Sequence, residues 1–277
     1  MDVSEGSLRT PAVAGTFYPA HPAQLRTAVE RFLVREREPV PVLALVAPHA
    51  GYVYSGSTAG KTYACSLLPD RLVVLCPNHT GSGEPLSVYA RGSWRTPLGD
   101  VPVDEALAEA LLAACPSCEA DEHAHRREHA VEVQLPFLQV VAPSARVVPV
   151  AVGVHGLPAL EALGRGLAAA VETMGGGAAL VVSSDMNHFE PAAVNRRKDD
   201  LALDRLLALD PAGLHRVVLA ESVSMCGFAP AVAALVACRL LGADRADLVD
   251  YTHSGMVTGD SSEVVSYAGV RIWREAA

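Results

Sequence analysis

Val42-Leu43-Ala44-Leu45-Val46-Ala47, halted by Pro48-His49, decides how the rest of the chain is read. Three more apolar runs repeat the pattern. Leu72 to Cys76 stops at Pro77-Asn78-His79, Val147 to Val154 is interrupted at Pro149, and Ala178 to Val182 runs into Ser183-Ser184-Asp185. Short, nearly unbroken aliphatic runs are strands covered on both faces, the mark of a largely parallel sheet. Ala-rich stretches at helical spacing lie between them: Asp104 to Ala114, Leu157 to Met174, Leu201 to Leu209 and Phe228 to Leu241. Asp104 is placed to cap the first, and Gly175-Gly176-Gly177 to stop the second. The alternation predicts an α/β fold with a largely parallel or mixed central sheet and helices on both faces. Pro149 predicts an edge or a bulge, because proline cannot donate to a ladder. Val264 to Trp273 has the composition of a late strand.

Composition narrows the function classes. Of 277 residues, 50% are apolar and 19% charged, which excludes a disordered chain and fits a single domain over residues 1–277. Lys plus Arg is 22 against 31 Asp plus Glu, a net charge of −9. Without a basic run, nucleic acid is not an expected partner. The longest apolar run, Cys226 to Cys238, is too short for the roughly 18 to 20 residues of a membrane span. The first twenty residues carry Asp2, Glu5 and Arg9 and no continuous apolar core, and six cysteines are too dilute for a disulfide scaffold. A cytoplasmic location is the expectation.

Three strand-like runs end in turns carrying His49, His79, and the pair Asp185 and His188. Ligands of open α/β sheets bind outside the carboxyl ends of the strands, where turns distant in sequence converge. Cys226 joins them as a candidate because it precedes Gly227 and an apolar helix, and a helix N-terminus favours thiolate. Cys65, Cys76 and Cys238 sit in apolar pattern and read as core. Two local motifs compete. His125-Arg126-Arg127-Glu128-His129 matches the H-x-x-E-H of zinc peptidases, with both imidazoles on one helical face. Leu135-Pro136 and the density of charge argue instead for a solvated loop entering a helix. Cys115-Pro116-Ser117-Cys118 with His123 and His125 has the residue types of a structural zinc site, on a weak spacing.

In chain order, Val13-Ala14-Gly15-Thr16-Phe17-Tyr18-Pro19, Ala47-Pro48-His49-Ala50-Gly51-Tyr52 and Cys76-Pro77-Asn78-His79 resemble the Memo family, mediators of cell motility. Glu128-His129-Ala130-Val131-Glu132-Val133-Gln134-Leu135-Pro136, Ser183 to His188, Cys226-Gly227 and Gly259-Asp260 through Ala268 continue the resemblance over nearly the whole chain. It implies the fold of class III extradiol dioxygenases, which are non-haem iron enzymes. It implies His49, His79 and Cys226 as ligands of one divalent or cuprous metal ion, iron or copper favoured and zinc admitted, with Asp185 and His188 as the remaining polar pair. It further implies a small-molecule substrate and a radical-SAM pathway protein as partner. The chain departs from the pattern at Gln134, where many relatives carry histidine, and at the variable Met186-Asn187.

A thiolate in place of the usual carboxylate is softer and itself oxidisable. The leading expectation is a metal-dependent oxidoreductase in which His188 is the general acid or base and Asp185 orients it. The alternatives are a non-catalytic module that keeps the cleft for a peptide or partner, and a cysteine hydrolase in which Cys226 attacks with His188 as base. Phe17, Tyr18, Tyr52 and Tyr54, near His49 in the motifs, are candidate pocket walls.

Overall fold

The structure, a computed structural model, describes residues 7–275. Asp2 and Glu5 lie outside them. The four apolar runs are strands Ala44–Ala47, Arg71–Pro77, Arg146–Val152 and Ala179–Ser183. All four are parallel, in the spatial order 44–47, 179–183, 71–77, 146–152. Val264–Trp273 runs antiparallel along Ala44–Ala47 and carries Arg245–His253 and the short His188–Glu190 as partners. At the opposite side Leu86–Val88 is antiparallel to Arg146–Val152, and Glu119–Ala120 follows. The sheet of nine strands is therefore mixed around a parallel centre.

Side-chain alternation splits the core into two layers. Ala44, Val46, Val73, Leu75, Val148, Val150, Leu180 and Val182 face helices Glu105–Ala114, Leu157–Thr173, Ala192–Leu207, Pro211–Ala220 and Phe228–Leu240. Leu45, Ala47, Leu72, Val74, Val147, Ala151, Ala179 and Val181 face helices Pro22–Phe32, Tyr52–Ala64 and Leu135–Val141. Asp104 caps its helix as expected, its carboxylate accepting from Leu107 N at 3.1 Å. Leu157–Thr173 packs on Phe228–Leu240 closely enough that a Cβ at Gly164 would lie 2.5 Å from Val236 Cβ.

Two sequence expectations fail for physical reasons. Pro149 makes neither an edge nor a bulge, since its strand is flanked on both sides in unbroken register. The antiparallel ladder to Leu86–Val88 begins only at Val150, and the Pro149 carbonyl still accepts from Tyr89 N at 3.0 Å. The missing donor thus falls beyond the ladder. The helix expected from Leu201 begins at Ala192. Its first half hides its inward face because Asn195 and Asp199, one turn apart, are buried polar groups rather than apolar ones.

The N-terminal segment is fastened by one buried carboxylate. Glu132 pairs with Arg9 and accepts from Ala12 N (2.8 Å), Val13 N (3.0 Å) and the Tyr18 hydroxyl. Arg9 also donates to the carbonyls of His125 and Glu128 and lies over the Trp94 ring at 4.4 Å. Removing one member of such a pair strands the other charge. Glu132→Gln is expected to lower unfolding free energy by about 3–5 kcal/mol in a urea titration, with a smaller loss in the Arg9→Met/Glu132→Met double variant. A single-variant loss below about 1 kcal/mol would contradict this role.

Candidate metal centre

The parallel strands end at one edge, and the turns that follow enclose a cleft of about 490 Å³. His49, His79, His129, His188, Phe17 and Tyr54 are among its walls. His49 leaves Ala44–Ala47 after Pro48, His79 leaves Arg71–Pro77 after Asn78, and Asp185 leaves Ala179–Ser183. His49, His79 and His129 each bring one ring nitrogen to within 4.8 Å of the other two. The His79 and His129 rings stack at 4.9 Å, and His49 stands edge-on to both at 5.2 and 5.4 Å.

Hydrogen bonding behind the rings sets which nitrogen is bare. Ser183 Oγ donates to the Ala130 carbonyl at 2.7 Å and accepts from Gln134 Nε2 at 2.8 Å. Its only proton is thereby used, so the 2.9 Å contact with His49 requires Nδ1–H to donate to Ser183. Glu128 is an acceptor, so the His79 Nδ1 contact at 3.0 Å likewise fixes Nδ1–H. In its neutral form each ring then presents an unprotonated Nε2, the arrangement in which metal-binding histidines are held. His129 Nδ1 lies 3.4 Å from the same Glu128 oxygen.

Burial tunes these groups. It holds the His49 pKa well below the ordinary imidazole value, and the neighbouring His129 and His79 push the same way. His129 is also lowered by burial, against the pull of Glu128. Burial lowers His79 too, but its hydrogen bond and charge interaction with Glu128 outweigh that and raise it. Burial favours protonation of Glu128, yet His79 and the Ala130 amide hold its pKa down to about 2. The carboxylate is therefore ionised, and burial favours the neutral, metal-binding form of His49 and His129, whereas Glu128 favours the protonated form of His79.

The donor set fits an ion. Two imidazole nitrogens on one metal stand roughly 3–4 Å apart, so the separations, up to 4.8 Å here, would close by about 1–2 Å on binding. Cys226 Sγ lies 3.3 Å from His49 Nε2, inside the roughly 3.1–3.6 Å expected for a sulfur and a nitrogen sharing a metal, but among the described residues the three-donor group is His49, His79 and His129 without it. The expectation that a helix N-terminus lowers this thiol is not met. Burial, reinforced by the Asp185 carboxylate, pushes the Cys226 thiol up. It accepts from Asp185 N at 3.2 Å, while Gly227 is the helix cap residue.

Other expected roles are redistributed. His188 reaches the cleft from the short strand His188–Glu190. Its Nδ1–H donates to the Ser224 carbonyl at 2.9 Å, which leaves Nε2 as the basic atom. Ser224, held by Asn187 Oδ1, therefore orients the ring. Asp185 accepts from His49 N (2.8 Å) and Ala50 N (3.3 Å) instead, and no hydrogen bond joins it to His188 among the described residues. Cys226 contacts His49 rather than His188, so the nucleophile–base pair of a cysteine hydrolase is not assembled. Phe17 and Tyr54 line the cleft, whereas Tyr18 and Tyr52 are buried and donate to Glu132 and to the Val133 carbonyl. Gln134 has both amide ends committed, to Tyr63 and to Ala47, Pro48 and Ser183.

The two zinc motifs dissolve. Residues 125–129 form no helix. His125 is buried against Tyr89 and Trp94, with Nε2 at 3.3 Å from the Ser87 carbonyl, and only His129 enters the cleft. Cys115 and Cys118 belong to the core layer, and among the described residues they form no group of three candidate ligands with His123 or His125. The sequence reading left His129, Glu128, Ser183 and Ser224 out of the site. The H-x-x-E-H match carried the signal for two of them, but a helical interpretation pointed it the wrong way.

Residues 9–271 match the family described as Memo-like protein. The chain is 39% identical to a MEMO1 family protein of Methanothermobacter thermautotrophicus, over 94% of this chain and 99% of the relative. It is 41% identical to one of Methanopyrus kandleri, over 95% and 98%. An uncharacterized Escherichia coli K12 protein of known crystal structure superposes with a TM-score of 0.54 at 16% identity, covering 81% of this chain and 98% of that one. The expected α/β fold, a mixed central sheet with helices on both faces, is thus one this chain shares with that protein.

Glu128 serves His79 directly and faces His129. Glu128→Gln is expected to weaken metal affinity about 10- to 100-fold in a chelator competition. Unchanged affinity in a folded variant would remove Glu128 from this role.

Proposed function

The chain belongs to the Memo-like family, and from that membership and its cleft we propose a metal-dependent oxidoreductase acting on a small molecule. The observation that carries this reading is the convergence of His49, His79 and His129, with Nδ1 of His49 and His79 occupied from behind. His49 and His79 are the proposed constant ligands, and Cys226 and His129 are the two candidates for the third place. Bound iron or copper would supply open coordination positions and redox chemistry of the non-haem type.

The chain's own groups do the rest. His188 Nε2 accepts a proton from a substrate hydroxyl or amine, because Nδ1–H is tied to Ser224. Asp185 fixes the backbone of His49 and Ala50, which keeps the ring facing the cleft. Phe17 and Tyr54 present apolar surface suited to a flat organic substrate. A binding module is the second reading, favoured by exposed Phe189 (71%) beside His188 and Met256 (67%) near Thr258. Oxygen consumption by Fe(II)- or Cu-loaded protein across catechols and aminophenols separates the two. Silence across that panel together with tight peptide binding would favour the module.

His49→Ala and His79→Ala are each expected to abolish stoichiometric metal in protein purified without chelator, measured by elemental analysis. Loading that survives both would overturn the assignment. Cys226→Asp is expected to keep the fold and shift the bound ratio from copper towards iron if sulfur is the third ligand. A lower Tm with an unchanged ratio would give that place to His129. Metal loading should also fall as pH drops below neutral, since the ligands must be deprotonated and His79 gains its proton at a higher pH than an ordinary imidazole. Equilibrium dialysis from pH 8 to pH 5 would follow the loss.

A further inference from the structure

A second concavity, of about 260 Å³, opens beside the metal loops, walled by Thr80, Ser82, His123, Arg126 and Arg127. Its lining consists of hydroxyls, an imidazole and two guanidiniums, with no carboxylate, in a chain whose net charge is −9. Whole small ligands fill cavities of roughly 300–1,000 Å³, so this space suits one group of a ligand rather than all of it. Thr80 directly follows His79, and Arg127 is two residues from His129. With about 3.8 Å between successive Cα atoms, the pocket wall begins within roughly 4–8 Å of the chain positions that carry two of the three clustered histidines.

Three acids of the neighbouring loop, Asp121, Glu122 and Glu128, are turned to other work. Asp121 accepts from the backbone of Glu84 (3.0 Å), His123 (2.7 Å) and Ala124 (3.1 Å), which latches the 78–84 loop to the 121–128 loop. Gly83, at φ +72°, comes so near that a Cβ would lie 2.1 Å from Asp121 Oδ2. Glu122 accepts from Ser7, and Glu128 is occupied by His79 and the Ala130 amide. Arg126 and Arg127 are exposed, and neither forms an ion pair or a side-chain hydrogen bond among the described residues. Two guanidiniums on a loop already braced by backbone bonds form a pre-set receptor for an oxyanion, which arginine binds through paired N–H donors.

We propose that this pocket is the subsite for an oxyanion, a carboxylate or a phosphate, carried by the small molecule whose reacting end meets the histidines. The proposal rests on the small-molecule reading above and narrows it to anionic substrates. Its test uses the full-length protein titrated with inorganic phosphate and, separately, malonate at low ionic strength, followed by calorimetry. Saturable binding is expected, weakened by added salt and weakened at least tenfold in Arg126→Ala/Arg127→Ala, while Tm and metal loading stay at wild-type values. The stronger of the two probes identifies the oxyanion. Absent saturable binding, or equal affinity in the arginine variant, would overturn the subsite, and phosphate held at the metal would give that second result. Arg126→Gln and Arg127→Gln repeat the test should the double variant be unstable. Loss of metal in His49→Ala and His79→Ala is read independently, so failure of the subsite and failure of the metal assignment stay distinct.

Discussion

The Glu128 carboxylate is fully buried and accepts from His79 N, His79 Nδ1 and Ala130 N, with His129 Nδ1 at 3.4 Å. Buried charge is tolerated only where hydrogen bonds and opposite charge replace water, and here those partners are the site itself. A loop with no regular structure is thereby pinned to the end of Arg71–Pro77. Four residues on, Glu132 does the same for the N-terminal segment through Arg9, Ala12, Val13 and Tyr18. Two positions further, Gln134 clamps Ala47, Pro48 and Ser183. One short buried stretch thus fastens the N-terminal segment and the ends of three neighbouring strands to itself.

Low polarity around the cleft has two consequences. Burial keeps His49 and His129 unprotonated, so nitrogen lone pairs face one another without charge repulsion. Burial also works against thiolate at Cys226, which only a nearby cation would offset. His49 Nε2 contacts the sulfur across 3.3 Å.

His188 is organised separately from the histidine cluster. Its support runs through Ser224 to Asn187, whose backbone N–H donates to Asp199 and whose side chain meets Asn195. Asp199 in turn accepts from Tyr251 and Ser266. This polar network lies in the interior between helix Ala192–Leu207 and strand Val264–Trp273. A fully partnered buried network specifies one arrangement of its members, which here means one direction for the His188 ring. The histidine cluster and His188 are therefore built on different supports.

The alternation of apolar runs with helical stretches was sufficient to determine a largely parallel sheet covered on both faces, because burial on both sides of a strand writes itself into consecutive residues. The same logic placed His49, His79, Asp185 and His188 near one edge, since parallel strands end together. Local composition could not foresee that Pro149 sits beyond the end of a ladder, or that Asn195 and Asp199 face inward on a helix, because both depend on which neighbour lies alongside. The partners of each site residue were equally beyond it. Asp185 serves His49 rather than His188, Ser224 orients His188, and His129 turns into the cleft while His125, four residues earlier, is buried elsewhere. Those outcomes are contacts between residues 36 to 136 positions apart. Sequence periodicity reports the face a residue presents within its own element, and only the packed chain decides which group stands opposite it.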